Sequence, residues 1–252
     1  MNSPADAADA RSFFDGRSGS YMRLAKWASD DNLRDASRAM LEGLVPSVVA
    51  EFGVGNAVLL SALEFPATTI RIGLDISFGM LRAANGRGIH LVQADVHNPP
   101  LRSSSLDMIV CRQILHYCDS ARVLEECGRV LRTGGVVHIA QLTDYADVED
   151  AWMDYWVGLR GVSDRRRLTR DRLVSELKAA GLELCREARL ALRVEHSWDD
   201  FFEKNRVGPD RRDEVRRFFR SAPVDTRDAY DLRVSDGGLA YTRIFTLLLA
   251  SR

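Results

Sequence analysis

Three carboxylates stand at matched places in the first half of the chain: Glu51, Asp75 and Asp95. Each ends or follows a short apolar run, and Glu51 opens the turn Glu51-Phe52-Gly53-Val54-Gly55-Asn56-Ala57. Glycine in such a turn lets the backbone approach a ligand closely and take up positive φ. The helix that follows begins with unpaired N–H groups. A carboxylate after the second run can accept both hydroxyls of a ribose. One after the third can accept from an adenine amino group. A single acid would read as a solvated loop residue or a helix cap, whereas an acid at the end of three successive runs points to a nucleoside.

A dinucleotide fingerprint G-x-G-x-x-G counted from Gly53 would need a third glycine at position 58, which is Val58. Glu51 is also out of place beside a pyrophosphate. A NAD-dependent dehydrogenase is therefore the rival by fold alone, with Val58 and Asp95 against it.

The histidines offer proton chemistry. His116, in Arg112-Gln-Ile-Leu-His-Tyr117, follows the fourth apolar run. Imidazole titrates near neutrality, which suits a general base. The equal alternative is a helix-start histidine bonded to backbone. His97 is a second candidate base, or a plain loop histidine. His138 lies inside an apolar run and reads as structural, and His90 and His196 read as strand-edge or surface residues. Tyr117 either orients an acceptor or packs; Gln141 and Thr143 either bond a substrate or simply end a strand. Cys111, Cys118, Cys127 and Cys185 form no C-x-x-C pair, and no Cys/His cluster is present. The expectation is free thiols in a reducing cytoplasm and no metal site.

Elements that could position these groups follow from periodicity. Strands are predicted at 48–52, 69–75, 89–93, 106–111 and 136–140, with helices at 57–63 and 78–84. Another helix, capped by Asp119 or Ser120, carries Val123, Leu124, Cys127, Val130 and Leu131 on one face and stops at Gly134 and Gly135. Thr169 caps a further helix that Gly181 ends. A sixth strand lies within 182–194, short helices at 198–205 and 210–220, and an apolar closing strand at 241–250. Alternating strands and helices with buried strands imply a doubly wound, mostly parallel sheet, which binds ligands beyond the carboxyl ends of its strands.

The chain has 252 residues, 46% apolar and 28% charged, with net charge −1. That size suits one domain with insertions. The charge balance excludes the basic face of a nucleic-acid binder, and no apolar run is long enough to span a bilayer. Residues 1–11 are expected to be a disordered leader and 12–45 a helical lid. Residues 46–252 are the core, with helical cap insertions at about 142–168 and 197–238. Trp152, Tyr155, Trp156, Trp198, Phe201, Phe202, Phe218 and Phe219 make the cap aromatic, which would favour a flat or apolar acceptor. Packing of the cap on the core is the other reading. Arg165, Arg166 and Arg167 form a solvated basic run or a site for a substrate anion.

With these segments in hand, the sequence resembles the class I S-adenosylmethionine (SAM)-dependent methyltransferases, in the broad group that includes the ubiquinone/menaquinone-biosynthesis type. The resemblance rests on Val48–Ala57, Ile72–Leu81, Val92–Leu101, Ser105–Val110 and Arg129–Val137. It implies a seven-stranded Rossmann-like sheet and SAM as cofactor. It further implies that Glu51, Gly53 and Gly55 surround the methionine moiety, Asp75 holds the ribose, and Ile76 packs on the adenine. Asp95 and Val96 would meet the adenine edge, Arg112 or Gln113 would lie near the sulfonium, and Tyr21 of the lid would reach the cofactor's carboxylate. Two positions depart from the pattern: Ala57 stands where the family has glycine, and His97 where it often has an acid or small polar residue. The expected function is transfer of a methyl group to a small molecule, with non-methyl chemistry on SAM or a non-catalytic subunit as alternatives. The oligomeric state is not legible.

Overall fold

The apolar runs become β1 (Val48–Phe52), β2 (Ile70–Asp75), β3 (His90–Gln93), β4 (Leu106–Arg112) and β5 (Leu131–Leu142), followed by β6 (Glu183–Ser197), β7 (Arg233–Val234) and β8 (Gly238–Ser251). The helices are α1 (Pro4–Asp15), α2 (Tyr21–Leu24), α3 (Asp31–Met40), α4 (Val58–Ala62), α5 (Phe78–Ala84), α6 (Ser120–Val130), α7 (Arg170–Ala179), α8 (Trp198–Asn205), α9 (Arg212–Arg220) and α10 (Val224–Ala229). These elements come from a computed structural model, which describes residues 4–16, 18–25, 28, 30–143, 152, 155 and 168–252. Trp27, Trp156, Arg165–Arg167 and most of the expected 142–168 insertion lie outside the described residues.

The sheet runs β3-β2-β1-β4-β5-β8-β6, with β7 paired to β8 as an eighth strand. β1 to β5 are mutually parallel. β8 runs antiparallel to both β5 and β6. The expected seven-stranded path is present, and the two residues of β7 extend it.

Alternation along the central strands feeds two cores. Ala50, Phe52, Ile109, Cys111, Val137, Ile139 and Leu248 face α6 and α7. Val49, Met108, Val110, Ala140, Phe245, Leu247 and Leu249 face α3, α4 and α5. Side chains burying this much apolar surface hold the strand ends at fixed relative heights. Asp30, Ser77, Asp119, Thr169 and Ser197 cap α3, α5, α6, α7 and α8 by accepting from backbone N–H groups.

Three expectations change. Residues 4–15 form α1, where a disordered leader was expected over 1–11; Ala5, Ala7, Ala8 and Ala10 favour helix. Its far end is fixed by buried Phe13 and by Asp15. Next, α6 ends at Val130 and β5 starts at Leu131, so Gly134 and Gly135 lie inside a strand. Leu131 pairs with Leu106 across a register shift in β4–β5, which the local sequence does not show. Finally, most cap aromatics pack on one another. β6 and β8 run past the sheet and carry α8, α9 and α10. Trp198, Phe201, Phe202, Phe219, Tyr230 and Tyr241 form a third core there. Trp198, Phe201, Phe202 and Phe219 are at most 3% exposed. Rings so enclosed give no wall to an acceptor, and the argument for a flat or apolar substrate loses its basis.

Candidate active site

The carboxyl ends of β1, β2, β3, β4 and β5 bring the sequence-predicted groups to one edge. Glu51 sits in β1 with its side chain toward α4, where Oε2 accepts from the N–H of Leu60 at 3.1 Å. It is 1% exposed. Burial pushes its carboxyl up to about 7, against the pull of the Arg112 guanidinium and the Leu60 N–H.

The turn beyond β1 carries positive φ at Gly53 (68°), Gly55 (54°) and Ala57 (60°). A Cβ on Gly53 would fall 2.3 Å from Ile114 Cδ1, whereas a Cβ on Gly55 would meet nothing within 4 Å. Gly53 is thus required by packing, and Gly55 by its backbone angle beside open space. Ala57 is the N-cap of α4, left-handed and fully buried. Its departure from glycine is a backbone matter, not the tighter packing its extra methyl suggests.

Asp75 closes β2. Its Oδ2 accepts from Gly55 N at 2.8 Å and its Oδ1 from Ser77 N at 2.9 Å. Burial raises its pKa despite those two donors. Each oxygen retains a lone pair for a further donor. Ile76 follows, its carbonyl accepting from Gln93 Nε2 at 3.1 Å. α1 adds Asp15, whose Oδ1 accepts from Ser77 Oγ at 2.6 Å and Gly79 N at 2.9 Å. Those bonds lower its pKa.

Beyond β3, Asp95 Oδ1 accepts from His97 N at 2.9 Å and lies 2.6 Å from His97 Nδ1. His97 Nε2 accepts from Asp119 N at 3.0 Å. An acceptor Nε2 places the neutral ring's proton on Nδ1, toward Asp95. The His97 hydrogen bond holds the Asp95 carboxyl below its usual range. His97 therefore ties the β3 loop to the start of α6 and uses both ring nitrogens there. Val96 packs into the core beside it.

At the end of β4, Arg112 Nη1 donates to Ala28 O at 2.9 Å. Gln113 has positive φ (54°), and its Nε2 is buried without a partner. His116 lies in the 3-10 turn Leu115–Tyr117. Gln141 of β5 places Nε2 3.0 Å from His116 Nδ1 and 3.2 Å from Leu142 O. A carbonyl accepts only, so Leu142 O fixes the amide with its NH2 toward both groups. Nδ1 of His116 is then an acceptor, and the neutral ring carries its proton on Nε2. Gln141 Oε1 is buried with no partner. Tyr117 packs edge-on against Phe14 of α1, ring centroids 5.0 Å apart.

Tyr21 opens α2, which packs against α8 of the cap. Arg23 pairs there with Glu203 and, at 3.6 Å, with Asp200. Asp15 was missed in the sequence because its bonding partners are more than sixty residues away. Among the described residues no group of three or more His, Cys, Asp or Glu could hold a metal ion.

Buried carboxylates with lone pairs to spare, open space at Gly55 and two orphaned amide atoms form a polar cradle at one sheet edge. These acceptors fit an adenosyl cofactor bearing an ammonium and two ribose hydroxyls. The comparisons agree with that geometry. A family described as "Methyltransferase domain" matches residues 50–139. The malonyl-[acyl-carrier protein] O-methyltransferase of Dechloromonas aromatica is 32% identical over 121 residues, covering 44% of this chain and 45% of that protein. The demethylmenaquinone methyltransferase of Corynebacterium kroppenstedtii is 27% identical over 111 residues, 44% of this chain and 48% of that one. The chain thus spans about half the length of these curated relatives. A putative methyltransferase from Bacillus halodurans shares the fold, with TM-score 0.76 at 18% identity, over 86% of this chain and 97% of that one. The matched segment runs from β1 through most of β5 and includes Glu51, both turn glycines, Asp75 and Asp95, and over it the chain is similar to the class I SAM-dependent methyltransferases, in the broad group that includes the quinone-biosynthesis type.

Proposed function

We propose that the protein transfers a methyl group from SAM to a small molecule. The observation that carries this is the row of acids Glu51, Asp75 and Asp95 at the ends of β1, β2 and β3, around a turn with open space at Gly55. In this reading Glu51 faces the cofactor's ammonium, Asp75 its ribose and Asp95 its adenine edge. Gly53 and Gly55 let the backbone approach, Ile76 and Val96 flank the base, and Tyr21, Arg112 and Gln113 border the methionine end.

SAM held by Glu51, Asp75 and Asp95 would supply an activated methyl group for direct displacement by the acceptor. The chain's own task is to align the acceptor and exclude water. His116 serves that alignment as a donor through Nε2–H. With Nδ1 already accepting from Gln141, the neutral ring has no lone pair left to abstract a proton. In this reading His116 orients the acceptor in place of the general-base role expected for it. Gln141 is the positioning residue for His116.

Calorimetry with S-adenosylhomocysteine is the test. The wild-type protein is expected to bind, and Asp75→Ala to lose at least a hundredfold in affinity. A folded wild-type protein that binds neither SAM nor S-adenosylhomocysteine overturns the reading, and an unchanged affinity in Asp75→Ala moves the ribose elsewhere.

A further inference from the structure

β8 is apolar over most of its length, and Arg243 interrupts it. The residue is 6% exposed. Its face is set by alternation with Phe245, Leu247 and Leu249, and its cross-strand partner on β6 is Leu192. One pair along the ribbon on that face is Leu190–Phe245, at the end of the sheet core. The pair on the other side is Val194–Tyr241, in the cap core. Arg243 therefore occupies the seam between sheet and cap.

That seam lies beyond the carboxyl edge. Leu142, the last residue of β5, pairs with Phe245, and Thr143 N donates to Ile244 O. Arg112 pairs with Ala140, which pairs with Leu247, so Arg243 stands four residues further out on the same face as Arg112. Four residues of strand span about 13 Å. In the methyltransferase reading, this is the side of the sheet edge on which the acceptor binds.

The guanidinium has little to hold it. Nη2 donates to Tyr241 Oη at 2.7 Å, and the group lies 5.2 Å from the centre of that ring. Nε is buried with no partner. No carboxylate pairs with Arg243 among the described residues. A desolvated cation without an anion is unfavourable, and a bound anion relieves it. A single positive charge among Leu192, Phe245 and Tyr241 balances a monoanion; a phosphate dianion would leave a net charge buried. Arg112 does not add to it, because it faces Glu51.

We propose that Arg243 recognises a carboxylate on the methyl acceptor, bound in the seam between the sheet edge and the cap. This rests on the methyltransferase reading of the site. The test uses the full chain saturated with S-adenosylhomocysteine, at constant ionic strength. Propionate is the probe and propionamide its uncharged counterpart, read by thermal shift. Propionate is expected to raise Tm saturably and propionamide to leave it unchanged. Arg243→Met should abolish that response, keep S-adenosylhomocysteine affinity within twofold, and hold a Tm at or above wild type without probe, because it removes an uncompensated buried charge. Arg243→Lys should respond at least tenfold more weakly, lacking the bidentate fork. Where Arg243→Met does not fold, the lysine variant decides.

A response equal for the two probes, absent for both, or retained in Arg243→Met overturns the proposal. Stabilisation by inorganic phosphate but not by propionate overturns the carboxylate class. Failure of the wild-type protein to bind S-adenosylhomocysteine is a separate result that strikes the methyltransferase reading.

Discussion

Ala57 shows how a single residue can depart from a family pattern at little cost. Its left-handed backbone costs an alanine about 1–2 kcal/mol. Replacing it by glycine relieves that strain. It also removes a buried methyl worth about 0.8 kcal/mol and adds about 0.4–1 kcal/mol of unfolded-state freedom. These changes nearly cancel, so Ala57→Gly is expected to alter stability by less than about 1 kcal/mol. Ala57→Val puts a β-branched residue at φ 60° in a fully buried site and should cost more than about 2 kcal/mol. Denaturant unfolding of both variants checks the pair; equal losses would show that packing rather than φ governs the position. The residue scale also shows what sequence could reach. Glu51, Asp75 and Asp95 were legible because each lies at or just past the end of a short strand. Arg243 had a signal too, one charge in an apolar run, but its meaning depends on which residues surround it.

At the scale of elements, α1 is the departure from expectation. It packs along α5, and Asp15 supplies a second acceptor at the start of that helix beside Ser77. Phe13 lies under the Arg206 guanidinium, 4.7 Å from the ring centre, and Phe14 packs on Tyr117. The helix therefore bridges the β2 end, the His116 turn and the cap. Asp15→Ala is expected to lower stability by about 1 kcal/mol, as for a lost cap, and to speed amide exchange in α1 and the first turn of α5. Faster exchange throughout the central strands instead would show that α1 is coupled to the whole fold rather than latched on it. None of this was legible locally, since a short alanine-rich segment gains stable helicity only from the partners it packs against.

At the scale of the molecule, two buried groups pull stability in opposite directions with pH. Glu51 titrates at about 7 in the fold against an ordinary 4.5. Its penalty is absent below pH 4.5 and grows as pH rises toward 7, to about 3 kcal/mol at most. His138, inside β5 with Nδ1 3.3 Å from Leu248 O, is pushed down by burial to about 4 from 6.5. Its neutral ring contributes fully above pH 6.5, and that contribution is lost as pH falls toward 4, by a similar amount of about 3 kcal/mol. Between 4.5 and 6.5 the two slopes oppose each other. Unfolding free energies measured from pH 4.5 to 7 should therefore rise with pH in Glu51→Gln and fall with pH in His138→Leu. Slopes of one sign in both variants would contradict these assignments. The sequence marked His138 as structural but could not show that it is fully desolvated.

The sequence by itself determined the alternation of strands and helices, the parallel sheet, the turn at Glu51–Ala57 and the row of acids behind it, because period, glycine and capping residues act over a few positions. The tertiary structure decided what those acids and their neighbours face. It paired His97 with Asp95, set the Gln141 amide against His116 Nδ1, and laid α1 on α5. It enclosed the cap's aromatic rings among themselves and left Arg243 in the seam. Each of these depends on groups brought together from distant parts of the chain, and only the packed layers fix which of a residue's hydrogen-bonding atoms are already used.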